Sequence, residues 1–192
     1  MADTKCIMIV GVGGQGTLLA SRIIGSALIT QGYDVKVSEV HGMSQRGGSV
    51  VTYVKYGDKV ASPVIDRGEA DYILAFERLE AARWLSYLKK GGKLLVNDQR
   101  ITPMPVITGA AAYPEDILDK IRAAGADMTA IDALALAIEA GNPKSVNVVL
   151  VGLLSSIMDV PDTVWESALE ANVKPQFMEI NKKAFRLGRE AK

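Results

Sequence analysis

Two hydrophobic periods alternate along this chain, and the switches between them mark its elements. Cys6-Ile-Met-Ile-Val10 is an unbroken apolar run closed by glycine, the pattern of a strand buried on both faces of a parallel sheet. Gly11-Val-Gly-Gly-Gln-Gly16 follows. From Thr17 the period becomes helical: Leu19, Ile23 and Ala27, with Leu18, Ile24 and Leu28 beside them, form an apolar stripe that leaves Ser21, Arg22 and Gln31 outside, and Gly32 is the stop. Tyr33–Val40 then alternates as a strand. The first forty residues thus predict strand, glycine turn, helix, strand, a βαβ unit.

The same reading predicts strands at Ser49–Tyr56, Tyr72–Phe76, Lys93–Val96, Val106–Thr108 and Met128–Ile131. Helices are expected at Glu77–Lys90, stopped by Gly91-Gly92, and at Glu115–Ala124, Asp132–Ala140, Lys144–Met158, Asp162–Ala171 and Gln176–Arg189, with Thr163 and Glu166 at capping-box spacing. Strands alternating with helices, followed by consecutive helices, predict an α/β fold. It is a doubly wound, mostly parallel, Rossmann-like sheet with helices on both faces and a helical C-terminal third. No repeat, linker or low-complexity tract divides residues 1–192, so one domain is expected.

In such sheets a ligand lies beyond the carboxyl ends of the strands. The loops at 11–16 and 41–48 both fall there and should be neighbours. Gly11, Gly13 and Gly16 fit G-x-G-x-x-G between a strand and a helix, and Gly14 adds backbone freedom beside Gln15. The helix starting at Thr17 offers unpaired N–H groups and the positive end of its dipole to an anion. Three readings stay open: an anion site, a dinucleotide site with Glu39 on the ribose, or a tight turn with close strand–helix packing. The second loop, His41-Gly-Met-Ser-Gln-Arg-Gly-Gly48, gathers His41, Ser44, Gln45, Arg46, Gly47 and Gly48. Arg46 can hold a carboxylate or phosphate through paired hydrogen bonds. Ser44 near His41 gives only a weak hydrolase signal, because no G-x-S-x-G elbow is present and no third triad member is identifiable. Glu77, Asn97, Asp98 and Asp132 sit at strand ends, where capping a following helix is the expected role.

Composition narrows the chemistry. Twenty-two basic residues balance 22 acidic ones, so no basic face points to nucleic acid. One cysteine and one histidine in 192 residues cannot supply a four-thiolate iron–sulfur cluster or a closed Cys/His zinc site, and no metal site is expected. Cys6 reads as an inert core residue. The apolar run Val148–Leu154 is far short of the ~20 residues of a membrane span, and the N-terminal apolar run is too short for a signal peptide. A cytoplasmic location with no membrane contact is therefore expected.

Gly-Val-Gly-Gly-Gln-Gly at 11–16, taken together with Ser-Gln-Arg-Gly-Gly at 44–48, resembles the gamma domain of 2-oxoacid:ferredoxin oxidoreductases. The form His41-Gly-Met-Ser-Gln-Arg-Gly-Gly48 on a chain of this length is most similar to the indolepyruvate branch of that family. The similarity runs from Lys5 to about Lys183 and includes Asn147 and Gly152. It implies an enzyme that oxidatively decarboxylates a 2-oxoacid, such as indolepyruvate or another arylpyruvate, to an acyl-CoA. It also implies that thiamine diphosphate, Mg and 4Fe-4S clusters reside in a large alpha subunit, that CoA is a co-substrate and that ferredoxin accepts the electrons. The gamma-type domain would complete the thiamine/CoA pocket of the large subunit.

Composition agrees: one cysteine cannot carry the clusters, and Gly57-Asp58-Lys59 breaks off a G-D-G thiamine–magnesium motif. The chain alone is thus expected to bind no cofactor, carry no catalytic residue and be inactive, and its unpartnered interface would favour a homodimer. The rival is a free-standing NAD(P)- or flavin-binding protein.

Overall fold

A computed structural model describes residues 4–39 and 47–191. Six strands form one sheet: β1 (Lys5–Val12), β2 (Asp34–Glu39), β3 (Ser49–Gly57), β4 (Ala70–Ala75), β5 (Leu88–Asn97) and β6 (Asp127–Ile131), in the order β2-β3-β1-β4-β5-β6. β1, β4, β5 and β6 pair in parallel; β3 runs antiparallel to both of its neighbours, β1 and β2. The expected mostly parallel α/β sheet is present. However, β3 is inserted between the two strands of the expected βαβ unit.

Helices cover both faces because the strands are apolar on both. In β1, Ile7 and Ile9 join one core while Cys6, Met8 and Val10 join the other. The first core is closed by α1 (Thr17–Thr30), α5 (Ala133–Ala140), α6 (Val146–Ser155), α7 (Asp162–Asn172) and α8 (Met178–Glu190). The second lies under α2 (Arg78–Trp84) and α4 (Ile117–Ala123). α6 is buried from Asn147 to Ser155, as a helix apolar on nearly every side must be. Each of its Val and Leu side chains contributes roughly 1.5–3 kcal/mol by leaving water. Gly152 of α6 and Gly188 of α8 let the two backbones touch: a Cβ at Gly152 would lie 2.1 Å from the Phe185 carbonyl oxygen.

Three local expectations are corrected. The helix expected to run to Lys90 ends at Trp84, passes through a 3-10 turn at Leu85–Tyr87, and gives way to β5 at Leu88. Gly91 and Gly92 therefore lie inside a strand. Gly91 has φ 79°, and a Cβ at Gly92 would lie 2.9 Å from the Ala70 carbonyl oxygen, where the β4–β5 register shifts. The strand expected at Val106–Thr108 is replaced by a short helix, α3 (Met104–Ile107), because Pro103 is extended at its N-cap and Pro105 presets the first turn. Thr163 lies within α7 rather than capping it; Pro161 is the N-cap, and no side chain caps that end.

Candidate functional site at the carboxyl end of strand β1

The turn between β1 and α1 is built by glycines with different tasks. Gly11, still in β1, is packed so closely that a Cβ would lie 2.8 Å from Gln15 Oε1 and 2.9 Å from the Phe76 Cβ. Gly16 caps α1 in the left-handed region at φ 82°, where an L side chain is disfavoured. Gly14, at φ 99°, faces open space. These positions satisfy the turn-and-packing reading of the motif.

Gln15 fastens this turn to the sheet. Its Oε1 accepts from the Val12 N–H at 2.7 Å, and its Nε2 donates to the Phe76 carbonyl at 2.9 Å and to Gln99 Oε1 at 3.4 Å. Asn97, fully buried at the end of β5, donates to the same Phe76 carbonyl at 3.1 Å and to Gln99 Oε1 at 3.0 Å, while its Oδ1 accepts the Ala133 N–H. Asn147 Nδ2, at the start of α6, donates to the Gly16 carbonyl at 3.2 Å. Side chains from β5 and α6 thus fix the turn from beneath.

The two glycine loops meet as expected, at Gly48: its carbonyl accepts the Gly13 N–H at 2.9 Å, directly beyond the Val12–Ser49 pair of the β1–β3 ladder. Gly47 lies beside it with φ 93°. His41, Ser44, Gln45 and Arg46 lie outside the described residues.

A cavity opens on each face of this junction. On the α1 side, about 320 Å³ is lined by Gly13, Gly14, Gly16, Thr17, Leu18, Val50 and Thr52. On the α2 side, about 350 Å³ is bordered by Val12, Gly47, Gly48, Ser49 and Glu80, with an apolar rim that includes Ile101, Pro103 and Met104. In the first, the N-terminus of α1 supplies partial positive charge, and no acidic residue sits in its first turn to offset it.

Glu77 and Glu80 are both buried at the second cavity. Glu77 caps α2 through the Glu80 N–H and accepts from the Tyr113 hydroxyl at 2.6 Å and the Ile101 N–H at 3.2 Å. Burial, followed by the bond to Glu77, pushes the Tyr113 phenol above its ordinary range. Glu80 accepts from the Ser49 hydroxyl, and burial raises its carboxyl above the usual value against the opposing pull of Ser49 and Arg83. Asp132 caps α5 through the Ala135 N–H, and Asp98 pairs with Arg78. The capping expectation therefore holds for Glu77 and Asp132.

Thr52, Glu80 and Gln99 were not legible as site residues. Thr52 carried a signal: it occupies the face of β3 shared by the core residues Val54 and Tyr56, and a polar residue in an inward-facing apolar series marks a lined cavity. Glu80 sat within a predicted helix among other charged residues and gave none.

The dinucleotide alternative does not fit. β3 separates β2 from β1, and Glu39 is engaged by the Ser21 hydroxyl of α1 at 2.8 Å. The fold also differs from a dinucleotide domain in the antiparallel course of β3.

The chain is 44% identical over 187 residues to the indolepyruvate oxidoreductase subunit IorB of Thermococcus kodakarensis, covering 95% of this chain and 93% of that relative. It is also 44% identical to the protein of the same name from Pyrococcus horikoshii, again covering 95% and 93%. The gamma subunit of a keto/oxoacid ferredoxin oxidoreductase from Geobacter sulfurreducens superposes with a TM-score of 0.72 at 26% identity, covering 97% of each chain. The family model for pyruvate ferredoxin/flavodoxin oxidoreductase matches residues 6–191. With that match spanning nearly its whole length, the chain belongs to the pyruvate ferredoxin/flavodoxin oxidoreductase family, among its gamma-type subunits.

Proposed function

We propose that this chain is the non-cluster subunit of an indolepyruvate:ferredoxin oxidoreductase, acting as one domain that walls the thiamine and CoA pocket of a large alpha subunit. The observation that carries this reading is the Gly13–Gly48 hydrogen bond, which joins the two glycine loops at the carboxyl end of β1, between two cavities. Arylpyruvate as substrate is supported by the 44% identity to two indolepyruvate oxidoreductase subunits.

The residues of this chain do not fit a cluster. A 4Fe-4S centre asks for four thiolates, and the one cysteine, Cys6, is 4% exposed within β1. The clusters are therefore assigned to the partner; on the family reading thiamine diphosphate and Mg reside there too, with ferredoxin as acceptor, and the isolated chain is assigned no turnover. Its unpartnered interface would favour a homodimer when the chain is isolated. No helix among the described residues is long and apolar enough to cross a membrane, in keeping with a complex that works in the cytoplasm.

The contribution of this chain is orientation and charge stabilisation. Of the N–H groups expected to meet an anion between Gly13 and Thr17, that of Gly13 is held by the Gly48 carbonyl and that of Gln15 by the Val12 carbonyl. Those of Gly14, Gly16 and Thr17, together with Arg46, would neutralise an anionic group of the oxoacid or of CoA, and His41, Ser44, Gln45 and Gly47 would shape the wall around it. Arg46→Ala and Thr52→Val in the reconstituted complex test this. The expected result is an intact complex whose kcat/KM for arylpyruvate or CoA falls about tenfold or more for Arg46→Ala, the loss of one charge-assisted hydrogen bond. Wild-type kinetics for both variants in an intact complex would overturn the pocket-wall role.

A further inference from the structure

A buried carboxylate stands beneath the loop junction and has no part in the function proposed above. Glu80 is 4% exposed on α2. Its Oε2 accepts from the Ser49 hydroxyl, and Arg83 Nε lies 3.5 Å from its Oε1. Ser49 follows Gly48 in the chain and faces Val12 across the ladder, and Gly48 holds the Gly13 N–H. Glu80 is thus connected to the β1–α1 turn through two consecutive residues. It also borders the same 350 Å³ cavity as Gly47 and Gly48.

The contrast with Glu77 is informative. Glu77, 1% exposed, caps its helix and ties down Tyr113 and Ile101, work that stabilises the fold. Glu80 caps nothing. A buried carboxylate costs stability unless its partners compensate, and an apolar side chain would fill the position at less cost. The groups facing Glu80 are Ser49 from β3 and Glu77, Arg83 and Trp84 from its own helix. Only Ser49 belongs to the loop junction.

We propose that Glu80 is a positioning residue, which through Ser49 fixes the Gly47–Ser49 segment and the Gly13–Gly48 contact in the geometry that the assembled oxidoreductase needs for turnover. This rests on the pocket-wall reading above.

The test compares Glu80→Gln, Ser49→Ala and their double variant in the complex reconstituted with the large subunit, alongside Arg46→Ala and Thr52→Val. Each single variant is expected to lower kcat/KM for the oxoacid about tenfold, as for one lost hydrogen bond to a charged group. The double variant falls little further, because Glu80→Gln removes the charge that strengthens this bond and Ser49→Ala removes its donor, so both act on one link. Ser49→Thr, which keeps the hydroxyl, restores activity. The thermal midpoint of the Glu80→Gln chain at neutral pH stays level or rises, which no purely structural role would produce. Wild-type kinetics for Glu80→Gln and Ser49→Ala, or activity lost only in proportion to stability, overturns the assignment. If Arg46→Ala and Thr52→Val lower activity while the Glu80 and Ser49 variants do not, the positioning role alone fails. If all four match wild type, the pocket-wall reading fails with it. Should Ser49→Ala not assemble, Glu80→Gln and Ser49→Thr decide the matter.

Discussion

Asn147 Nδ2 donates to the carbonyl of Gly16, 131 residues earlier in the chain, and a Cβ on Gly16 would lie 2.6 Å from that same nitrogen. The start of α6 and the start of α1 are therefore fitted to each other through a missing side chain. Gly16→Ala must both adopt φ 82° and push Asn147 aside, breaking its bond. Together these cost about 2–3 kcal/mol. Chemical denaturation of the isolated chain checks the stability loss, and the assembled variant should also lose turnover, since Gly16 itself lines the α1-side cavity. An unperturbed midpoint would mean that the turn is not constrained as described.

Gly152 and Gly188 mark a second close approach. A Cβ at Gly188 would lie 1.9 Å from the Val149 carbonyl oxygen, a backbone atom that cannot rotate away. Gly152→Ala and Gly188→Ala should each force α8 off α6 and cost at least about 1–3 kcal/mol, the range for overpacking a fitted core. Gly25 is the control: it lies inside α1, with the nearest contact to an added Cβ at 3.9 Å. Gly25→Ala should stabilise by about 0.5–1 kcal/mol through helix propensity. Thermal unfolding of the three variants separates the cases by sign.

Gln15 discriminates between accepting and donating. Its oxygen serves Val12 and its nitrogen serves Phe76 and Gln99. In Gln15→Glu an anionic oxygen would replace the donor and face two acceptor oxygens. The cost should be about 1–3 kcal/mol or more at neutral pH. It should shrink in acid, where a protonated carboxyl can donate to the Phe76 carbonyl. Denaturation midpoints at pH 4 and pH 7 for Gln15→Glu and wild type provide the check; a pH-independent difference contradicts the assigned bonds.

Glu80 makes stability depend on pH in the opposite sense from a surface carboxylate. Burial raises its folded-state pKa, so the native chain binds this proton more tightly than the unfolded chain. The associated stability is complete below the unfolded carboxyl pKa and is lost as pH rises through the folded one. Glu80→Gln carries no such titration. Its midpoint minus that of wild type should therefore increase from pH 4 to pH 7. A flat or falling difference would show that Ser49 and Arg83 fully offset the burial.

Much of the architecture was legible because it rests on local period. β1 is an unbroken apolar run and reads as a buried strand, α1 carries a helical stripe, and the helices at α6 and α8 follow from their period. What escaped depended on partners distant in sequence. The insertion of β3 between β1 and β2 is a matter of pairing, which alternation within β3 does not encode. Gly91-Gly92 reads equally as a helix stop or an irregular strand until the carbonyls of Ala70 and Asp71 are seen against Gly92. In sequence Pro103 and Pro105 read as a break between two strands, whereas the fixed φ of Pro105 in a first turn starts α3. At the site, the glycine spacing located the turn, but its fastening by Gln99, Asn97 and Asn147 joins positions more than eighty residues away.

As proposed, this chain completes a pocket that belongs to the large subunit. The most direct measurement is a titration of the purified chain into its purified large subunit under anaerobic conditions, following arylpyruvate- and CoA-dependent ferredoxin reduction. No turnover is expected from this chain alone, and the rate should rise to a plateau at one chain per large subunit. Full turnover by the large subunit before any chain is added, or nicotinamide-dependent turnover by the chain alone, would contradict it.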